Sequence, residues 1–98
     1  APTSGFGIER LCRKMDFPST KVVVEYGPAT GVITEHVLKL LPPTAKLIAI
    51  DTNDKFLDIL RTKVTDPRLK VVHDTAEHVE KILRDAGESQ ADYVISGI

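Results

Sequence analysis

The sequence has little cysteine and no excess of charge of either sign. Cys12 is the single cysteine in 98 residues, which excludes an internal disulfide and favours a reducing compartment. Thirteen Lys and Arg residues stand against fourteen Asp and Glu, which gives a net charge of −1. Nucleic-acid binders usually carry a basic excess, because neutralising phosphates supplies much of their affinity. We therefore expect no nucleic-acid partner.

Long hydrophobic runs are also absent. No apolar stretch approaches the roughly 20 residues that a membrane-spanning helix needs, and the first residues do not have the pattern of a signal peptide. The three histidines, His36, His73 and His78, are not spaced as a metal-binding set. These absences predict a cytoplasmic protein with no transmembrane segment and no metal site.

The residues that are present alternate between two kinds of segment, in what we expect to be a single domain of residues 1–98. Short runs rich in Val and Ile predict strands that are covered on both faces. There are four such runs: Lys21–Glu25, Lys46–Asp51, Leu69–His73 and Ala91–Ser96.

Segments with helical periodicity lie between these strands. The first predicted helix is Gly31–Leu41, and Pro42 and Pro43 end it. Asn53 is expected to cap the second, which should end near Asp66 and Pro67; its predicted apolar stripe is Phe56, Ile59, Leu60 and Val64. Thr75 is expected to cap the third, which should end at Gly87; its predicted apolar face is Val79, Ile82, Leu83 and Ala86. An extra N-terminal helix is predicted over residues 4–15, with Ile8, Leu11, Cys12 and Met15 on one face.

The order of these elements predicts an α/β fold. A β-α-β-α-β-α-β chain with right-handed crossovers gives a Rossmann-like three-layer sandwich. We expect a parallel sheet of four strands in the order 3-2-1-4, with the extra N-terminal helix packed beside it. Ligands of such sheets bind at the carboxyl ends of the strands, here in the crevice between strands 1 and 4.

The turn after strand 1 is rich in glycine and leads directly into a helix. Its sequence is Glu25-Tyr26-Gly27-Pro28-Ala29-Thr30-Gly31. Glycine permits positive φ and the close approach of a ligand to the backbone, and the free amides of the following helix favour an anionic group. The dinucleotide pattern G-x-G-x-x-G fails at two of its three positions, because counting from Gly27 gives Ala29 and Val32. A nicotinamide-dependent oxidoreductase is therefore the less favoured hypothesis.

The turn resembles the first motif of class I S-adenosylmethionine-dependent methyltransferases, acid-x-Gly-x-Gly-x-Gly, in which only Ala29 departs from the pattern. It is most similar to the motif of phospholipid N-methyltransferases and ribosomal RNA adenine dimethylases. The resemblance continues at Asp51, at Asp74-Thr75-Ala76 and at the fourth strand. If Ala29 has positive φ, we expect strain of about 1–2 kcal/mol and weakened cofactor affinity.

The resemblance implies S-adenosyl-L-methionine as the cofactor and gives roles to the residues after each strand. The backbone from Gly27 to Gly31 would hold the methionine part, and Glu25 its amino group, directly or through water. Asp51 would bind the ribose and Asp74 the adenine amino group, although Asp51 could instead cap a helix and Asp74 could simply begin one. The implied cofactor-binding set is Glu25, Tyr26, Gly27, Pro28, Ala29, Thr30, Gly31, Asp51, Thr52, Asp74, Thr75 and Ser96. It assigns no catalytic residue.

The methyl acceptor is left open between two versions of the family. The start of the chain resembles phospholipid N-methyltransferases, whereas the adenine dimethylases carry Asn-x-Pro-aromatic after strand 4 and this chain has Ser96-Gly97-Ile98. We therefore expect a small-molecule or lipid acceptor, with a phospholipid amine favoured. The family fold has seven strands and this sequence supplies four, so the alternative hypothesis is a non-catalytic, truncated or engineered half-domain. The unpaired edge of strand 4 predicts a homodimer joined through that strand, or poor solubility, unless something covers the edge.

Overall fold

The computed structural model describes residues 16–96. The N-terminal helix predicted over residues 4–15, and the final residues Gly97 and Ile98, lie outside this described part of the chain. This part contains two short 3-10 turns, three helices and four strands. The strands are β1 (Val22–Tyr26), β2 (Lys46–Asp51), β3 (Leu69–His73) and β4 (Tyr93–Ser96). The helices are α1 (Val32–Leu40), α2 (Asp54–Lys63) and α3 (Val79–Asp85), and the 3-10 turns are Phe17–Ser19 and Ala76–His78.

The sheet has the predicted topology. All three strand pairings are parallel, and the order is β3-β2-β1-β4. The predicted β2 and β3 bounds agree with the structure, while β4 begins two residues later than expected. Just before β4, the Asp92 carboxylate accepts hydrogen bonds from the amides of Lys21 and Val22, at 2.7 and 2.9 Å. The Asp92 amide also donates to the Val22 carbonyl at 2.8 Å, so Asp92 joins the start of β1 through both its backbone and its side chain, one residue before β4 begins.

Two hydrophobic clusters occupy the two faces of the sheet and make the three layers of the sandwich. On one face, Val23, Leu47 and Ile95 pack with residues of α1 that include Val37. On the other face, α3 covers the sheet with Ile82 and Leu83, whose partners are Val22, Val24, Ile48 and Ile50. Because β1 and β2 lie in the middle of the sheet, both of their faces are buried, as their continuous apolar sequences predict.

The orientation of α2 differs from the prediction. Phe56 and Ile59 were expected on its buried stripe, but they are 39 and 49% exposed, whereas Leu57 and Leu60 are fully buried. The helix presents Leu60 to the glycine turn, where Gly31 leaves room for it. It also ends at Lys63, earlier than predicted, because Val64 adopts an extended conformation. Packing against the turn thus decides which of two apolar stripes faces inward.

The start of α3 is a second correction. Thr75 precedes a 3-10 turn and its side chain makes no capping hydrogen bond, so α3 begins only at Val79. The predicted end is confirmed: Gly87 has φ +78°, and the amides of Gly87 and Glu88 donate to the carbonyls of Arg84 and Leu83, both at 2.9 Å. This paired arrangement is the usual glycine-dependent helix ending.

None of the helices in residues 16–96 is both long and apolar enough to cross a membrane. Within the same range, no three His, Cys, Asp or Glu side chains gather as a metal site would require.

Candidate functional site

The turn after β1 contains three left-handed residues in alternate positions. Gly27, Ala29 and Gly31 have φ of +66°, +51° and +89°. Hydrogen bonds close the turn at both ends, from the Gly27 amide to the Ile50 carbonyl and from the Gly31 amide to the Pro28 carbonyl, each at 2.9 Å. Ala29 therefore has the positive φ for which strain was expected. An alanine in this conformation stores about 1–2 kcal/mol of strain, which glycine would not.

Gly31 is required for space as well as for conformation. A Cβ atom on Gly31 would lie 2.7 Å from Cδ1 of Leu60, a buried side chain of α2. The group that closely approaches the Gly31 backbone therefore belongs to a neighbouring helix, α2. Lys63 on the same helix donates to the Thr30 carbonyl at 3.0 Å and lies 3.7 Å from the Glu35 carboxylate. Sequence reasoning missed Lys63, because no local pattern relates it to a turn 33 residues earlier.

Glu25 is the most unusual side chain at this edge of the sheet. It is fully buried, its Oε1 atom accepts a 2.6 Å hydrogen bond from the Thr34 hydroxyl, and its Oε2 atom is buried with no hydrogen-bond partner in residues 16–96. Burial raises the pKa of Glu25 from its ordinary value of 4.5 to about 7, against the opposing effect of the Thr34 hydrogen bond. A buried carboxyl with one unsatisfied oxygen is costly unless something else binds it.

Asp51 lies at the end of β2 and shapes the loop that follows. Its Oδ1 atom accepts a hydrogen bond from the Asn53 amide at 2.9 Å, while the Asn53 side chain accepts one from the Phe56 amide at 3.1 Å. Asn53 is therefore the helix cap, as predicted, and the alternative in which Asp51 caps the helix is wrong. The Asp51 carboxylate is half-buried, and the structure gives its Oδ2 atom no hydrogen bond from the described residues.

The Asp74 carboxylate already has hydrogen-bond partners within the chain. Its Oδ1 atom accepts from the Thr75 amide at 2.7 Å and lies 2.6 Å from Nδ1 of His78. The His78 hydrogen bond, followed by that of Thr75, holds the pKa of Asp74 below its ordinary value. The nearby Thr75 hydroxyl is buried without a partner in residues 16–96. These bonds support the hypothesis in which Asp74 organises the turn before α3.

The sheet brings the predicted site residues to a single edge. The Gly27 amide bonds to Ile50, the residue before Asp51, and the Asp74 amide donates to the Asp51 carbonyl at 3.1 Å. On the other side, Tyr26 is paired in register with Ser96. The strand ends therefore follow one another along the edge in the order Asp74, Asp51, the glycine turn and Ser96. Thr52, Ala29 and Thr30 are exposed there, and Pro28 is buried. The cofactor contacts implied for these residues stay predictions.

Curated proteins that are similar in sequence include an ornithine lipid N-methyltransferase and a ribosomal RNA methyltransferase. Ornithine lipid N-methyltransferase of Singulisphaera acidiphila is 29% identical over 100% of this chain, which spans 52% of that protein. Ribosomal RNA small subunit methyltransferase A of Dehalococcoides mccartyi is 31% identical over 67% of this chain and 22% of its own length. The chain thus spans about half of the first relative and about a fifth of the second. No protein-family model matches it.

Solved structures with the same fold are also methyltransferases by name. A putative O-methyltransferase from Klebsiella pneumoniae superposes with a TM-score of 0.76 and 18% identity, over 94% of this chain and 43% of that one. An S-adenosylmethionine-dependent methyltransferase from Aquifex aeolicus gives a TM-score of 0.61 and 17% identity, over 69% of this chain and 38% of that one. At these identities the likeness concerns the fold. In both sequence and fold, the chain resembles the class I S-adenosylmethionine-dependent methyltransferases that its glycine turn indicates.

Proposed function

We propose that this chain is the cofactor-binding part of an S-adenosylmethionine-dependent methyltransferase. The observation that carries the proposal is the combination of two features at the end of β1: a turn with three left-handed residues, and a buried carboxyl with an unsatisfied oxygen directly before it. Both lie where the strand order reverses between β1 and β4, the position at which open α/β sheets bind their ligands.

The residues at this edge fit S-adenosylmethionine in their donor and acceptor chemistry. The Oε2 atom of Glu25 has no donor among residues 16–96, and the cofactor's amino group would supply one, directly or through a water molecule. The backbone turn from Gly27 to Gly31 would hold the methionine part, with the free amides at the start of α1 near its carboxylate. Asp51 would accept hydrogen bonds from the ribose hydroxyls through the oxygen that Asn53 does not occupy.

The adenine contact is the weakest member of the set. Asp74 would have to bind the adenine amino group with Oδ2, because Oδ1 is engaged by Thr75 and His78. When bound, the cofactor supplies an electrophilic methyl group on a sulfonium. The contribution of this chain is therefore to bind and orient, and the residues above need no acid–base role.

We further propose that the methyl acceptor is a lipid amine. Similarity to the ornithine lipid enzyme extends along the whole chain, whereas similarity to the ribosomal RNA enzyme covers two thirds of it. The net charge of −1 supplies no electrostatic attraction for RNA, and Ser96, Gly97 and Ile98 stand where the adenine dimethylases begin Asn-x-Pro-aromatic. The second candidate for the methyl acceptor is an adenine of ribosomal RNA. It is favoured by the sequence similarity to a ribosomal RNA methyltransferase.

The first test is calorimetric titration with S-adenosylhomocysteine, with NAD as the comparison ligand. We expect Asp51→Asn to weaken binding at least about tenfold, because charge-assisted hydrogen bonds to the ribose are lost. Asp58→Asn is the matched control: it makes the same chemical change on the exposed surface of α2 and should leave affinity unchanged. A folded chain that binds no S-adenosylhomocysteine would instead support the non-catalytic half-domain, and NAD binding would support the oxidoreductase.

The acceptor is tested by transfer of a labelled methyl group from S-adenosylmethionine. Vesicles that contain ornithine lipid or phosphatidylethanolamine, and separately ribosomal RNA, are offered to the same protein. Label in the lipid fraction supports the lipid-amine proposal. Label confined to RNA overturns it in favour of the second candidate.

A further inference from the structure

The contact between Glu25 and Thr34 links a strand to the helix that follows the glycine turn. Glu25 is on β1 and Thr34 is in the first turn of α1, and both side chains are fully buried. The hydroxyl donates to Oε1 at 2.6 Å, within the ordinary range for an O–H···O hydrogen bond. The two carboxyl oxygens are therefore not equivalent, since one is held by the protein and the other is not.

Among residues 16–96, no charged group offsets the burial of this carboxyl. In the sheet, Glu25 is flanked in register by Ala49 and Ile95, which are apolar. The titratable side chains on the elements packed around it are Tyr26, Glu35, His36, Lys39, Lys46, Asp51 and Tyr93. None of these seven contributes to the pKa of Glu25, which is raised by burial and lowered by the Thr34 hydrogen bond. Thr34 is therefore the one described side chain that favours the charged form.

We propose that Thr34 is a positioning residue that makes Oε2 of Glu25 the atom that holds a proton in the ligand-free protein and releases it when a cationic N–H donor binds. The inference rests on the proposed function for the identity of that donor, the amino group of S-adenosylmethionine or S-adenosylhomocysteine. Thr34 occupies Oε1, so the proton and the ligand's donor compete for Oε2. The released proton goes to solvent, and the carboxylate remains paired with the ligand's ammonium group.

The first experiment measures Glu25 in the ligand-free chain. A 13C NMR titration of the side-chain carboxyl should give a midpoint near pH 7, and Glu25→Gln identifies the resonance by its loss. Thr34→Val keeps the shape of the side chain but removes the donor, so the midpoint should rise by about one to two pH units. Thr34→Ser keeps the donor and removes a methyl group, so its midpoint should stay near that of the wild type. An equal midpoint in wild type and Thr34→Val overturns the proposal.

The second experiment counts protons during binding. S-adenosylhomocysteine is titrated calorimetrically at pH 7 in two buffers of different ionisation enthalpy, which gives the number of protons released. The wild type should release about half a proton, because a group with a midpoint near pH 7 is half protonated there. Thr34→Val should bind more weakly and release close to one, while Glu25→Gln should release none.

The outcomes separate this inference from the function on which it rests. Binding of S-adenosylhomocysteine with no proton release, or with release unchanged in Thr34→Val, overturns the inference and leaves the proposed function standing. Absence of binding between pH 6 and pH 8 overturns the proposed function and the ligand-linked step with it. In that case the NMR titration still decides whether Thr34 controls the protonation of Glu25. A purely structural Thr34 would change the stability of the chain without changing either the midpoint or the proton count.

Discussion

Gly31→Ala is expected to destabilise the chain through two separate penalties. The first is conformational: an alanine at φ +89° costs about 1–2 kcal/mol relative to a residue that tolerates the left-handed region. The second is steric, because the new Cβ atom would lie 2.7 Å from Cδ1 of Leu60. Leu60 is fully buried, so relief of this contact requires a shift in the core, for which overpacking costs are about 1–3 kcal/mol. The total is about 2–5 kcal/mol, a large part of the stability of a small domain.

Gly87→Ala is the matched control for this prediction. Gly87 has a similar φ of +78°, but a Cβ atom there meets nothing within 4 Å. It should therefore show the conformational penalty alone, about 1–2 kcal/mol. Both variants are measured by urea unfolding followed by circular dichroism, where the midpoint falls and the slope stays constant if only stability changes. If Gly31→Ala costs no more than Gly87→Ala, the proposed clash with α2 does not exist and the reasoning is refuted.

The remaining predictions concern strain, pH and association. Ala29→Gly should raise the melting temperature slightly and tighten S-adenosylhomocysteine binding, because relief of about 1–2 kcal/mol of strain exceeds the roughly 0.4–1 kcal/mol entropy cost of glycine; lower stability would contradict this. Since the folded-state pKa of Glu25 is raised from 4.5 to about 7, the free energy of unfolding of the ligand-free chain should fall by on the order of 3 kcal/mol as pH rises through that window. Urea unfolding at pH 5 and pH 8 measures this difference, which Glu25→Gln should abolish. The Arg68 hydrogen bonds lower the pKa of Asp66 from 3.8 to about 2, so the stabilisation they give is present above pH 4 and is lost on acidification towards pH 2. Acid unfolding of Asp66→Asn should lack this loss of stability. An acid-unfolding profile equal to that of the wild type would count against the prediction. Val94 on the edge strand β4 is 56% exposed, so light scattering should detect a homodimer that Val94→Lys dissociates, whereas a monomeric wild type at high concentration would refute association through β4.

The order of elements and the sheet topology could be predicted from the sequence because they follow from local patterns and general chirality. Continuous Val and Ile runs give buried strands, and right-handed crossovers leave few topologies for such an alternation. Asn53 and Gly87 were found because a cap and a left-handed helix ending each depend on one residue and its immediate neighbours. The glycine turn was located for the same reason.

The prediction failed where two elements compete for the same space. The helix α2 has apolar residues on two overlapping stripes, and periodicity alone selected the stripe with Phe56 and Ile59. Leu60 was predicted correctly, but contact with the glycine turn buries Leu57 beside it in place of Phe56 and Ile59. Likewise, Thr75 has the residue type of a cap, but the chain enters α3 through a 3-10 turn in which the Thr75 hydroxyl is unused.

The sequence by itself determined which residues stand at the carboxyl edge of the sheet, because position after a strand and the need for positive φ are properties of short segments. Only the tertiary structure decided how those residues are held. The hydroxyl of Thr34 on one oxygen of Glu25, and the ammonium of Lys63 on the Thr30 carbonyl, join parts of the chain that no local period connects. The chemistry of Glu25 depends on its burial and on the Thr34 contact, because the charge of a buried carboxyl is set by what surrounds it in space.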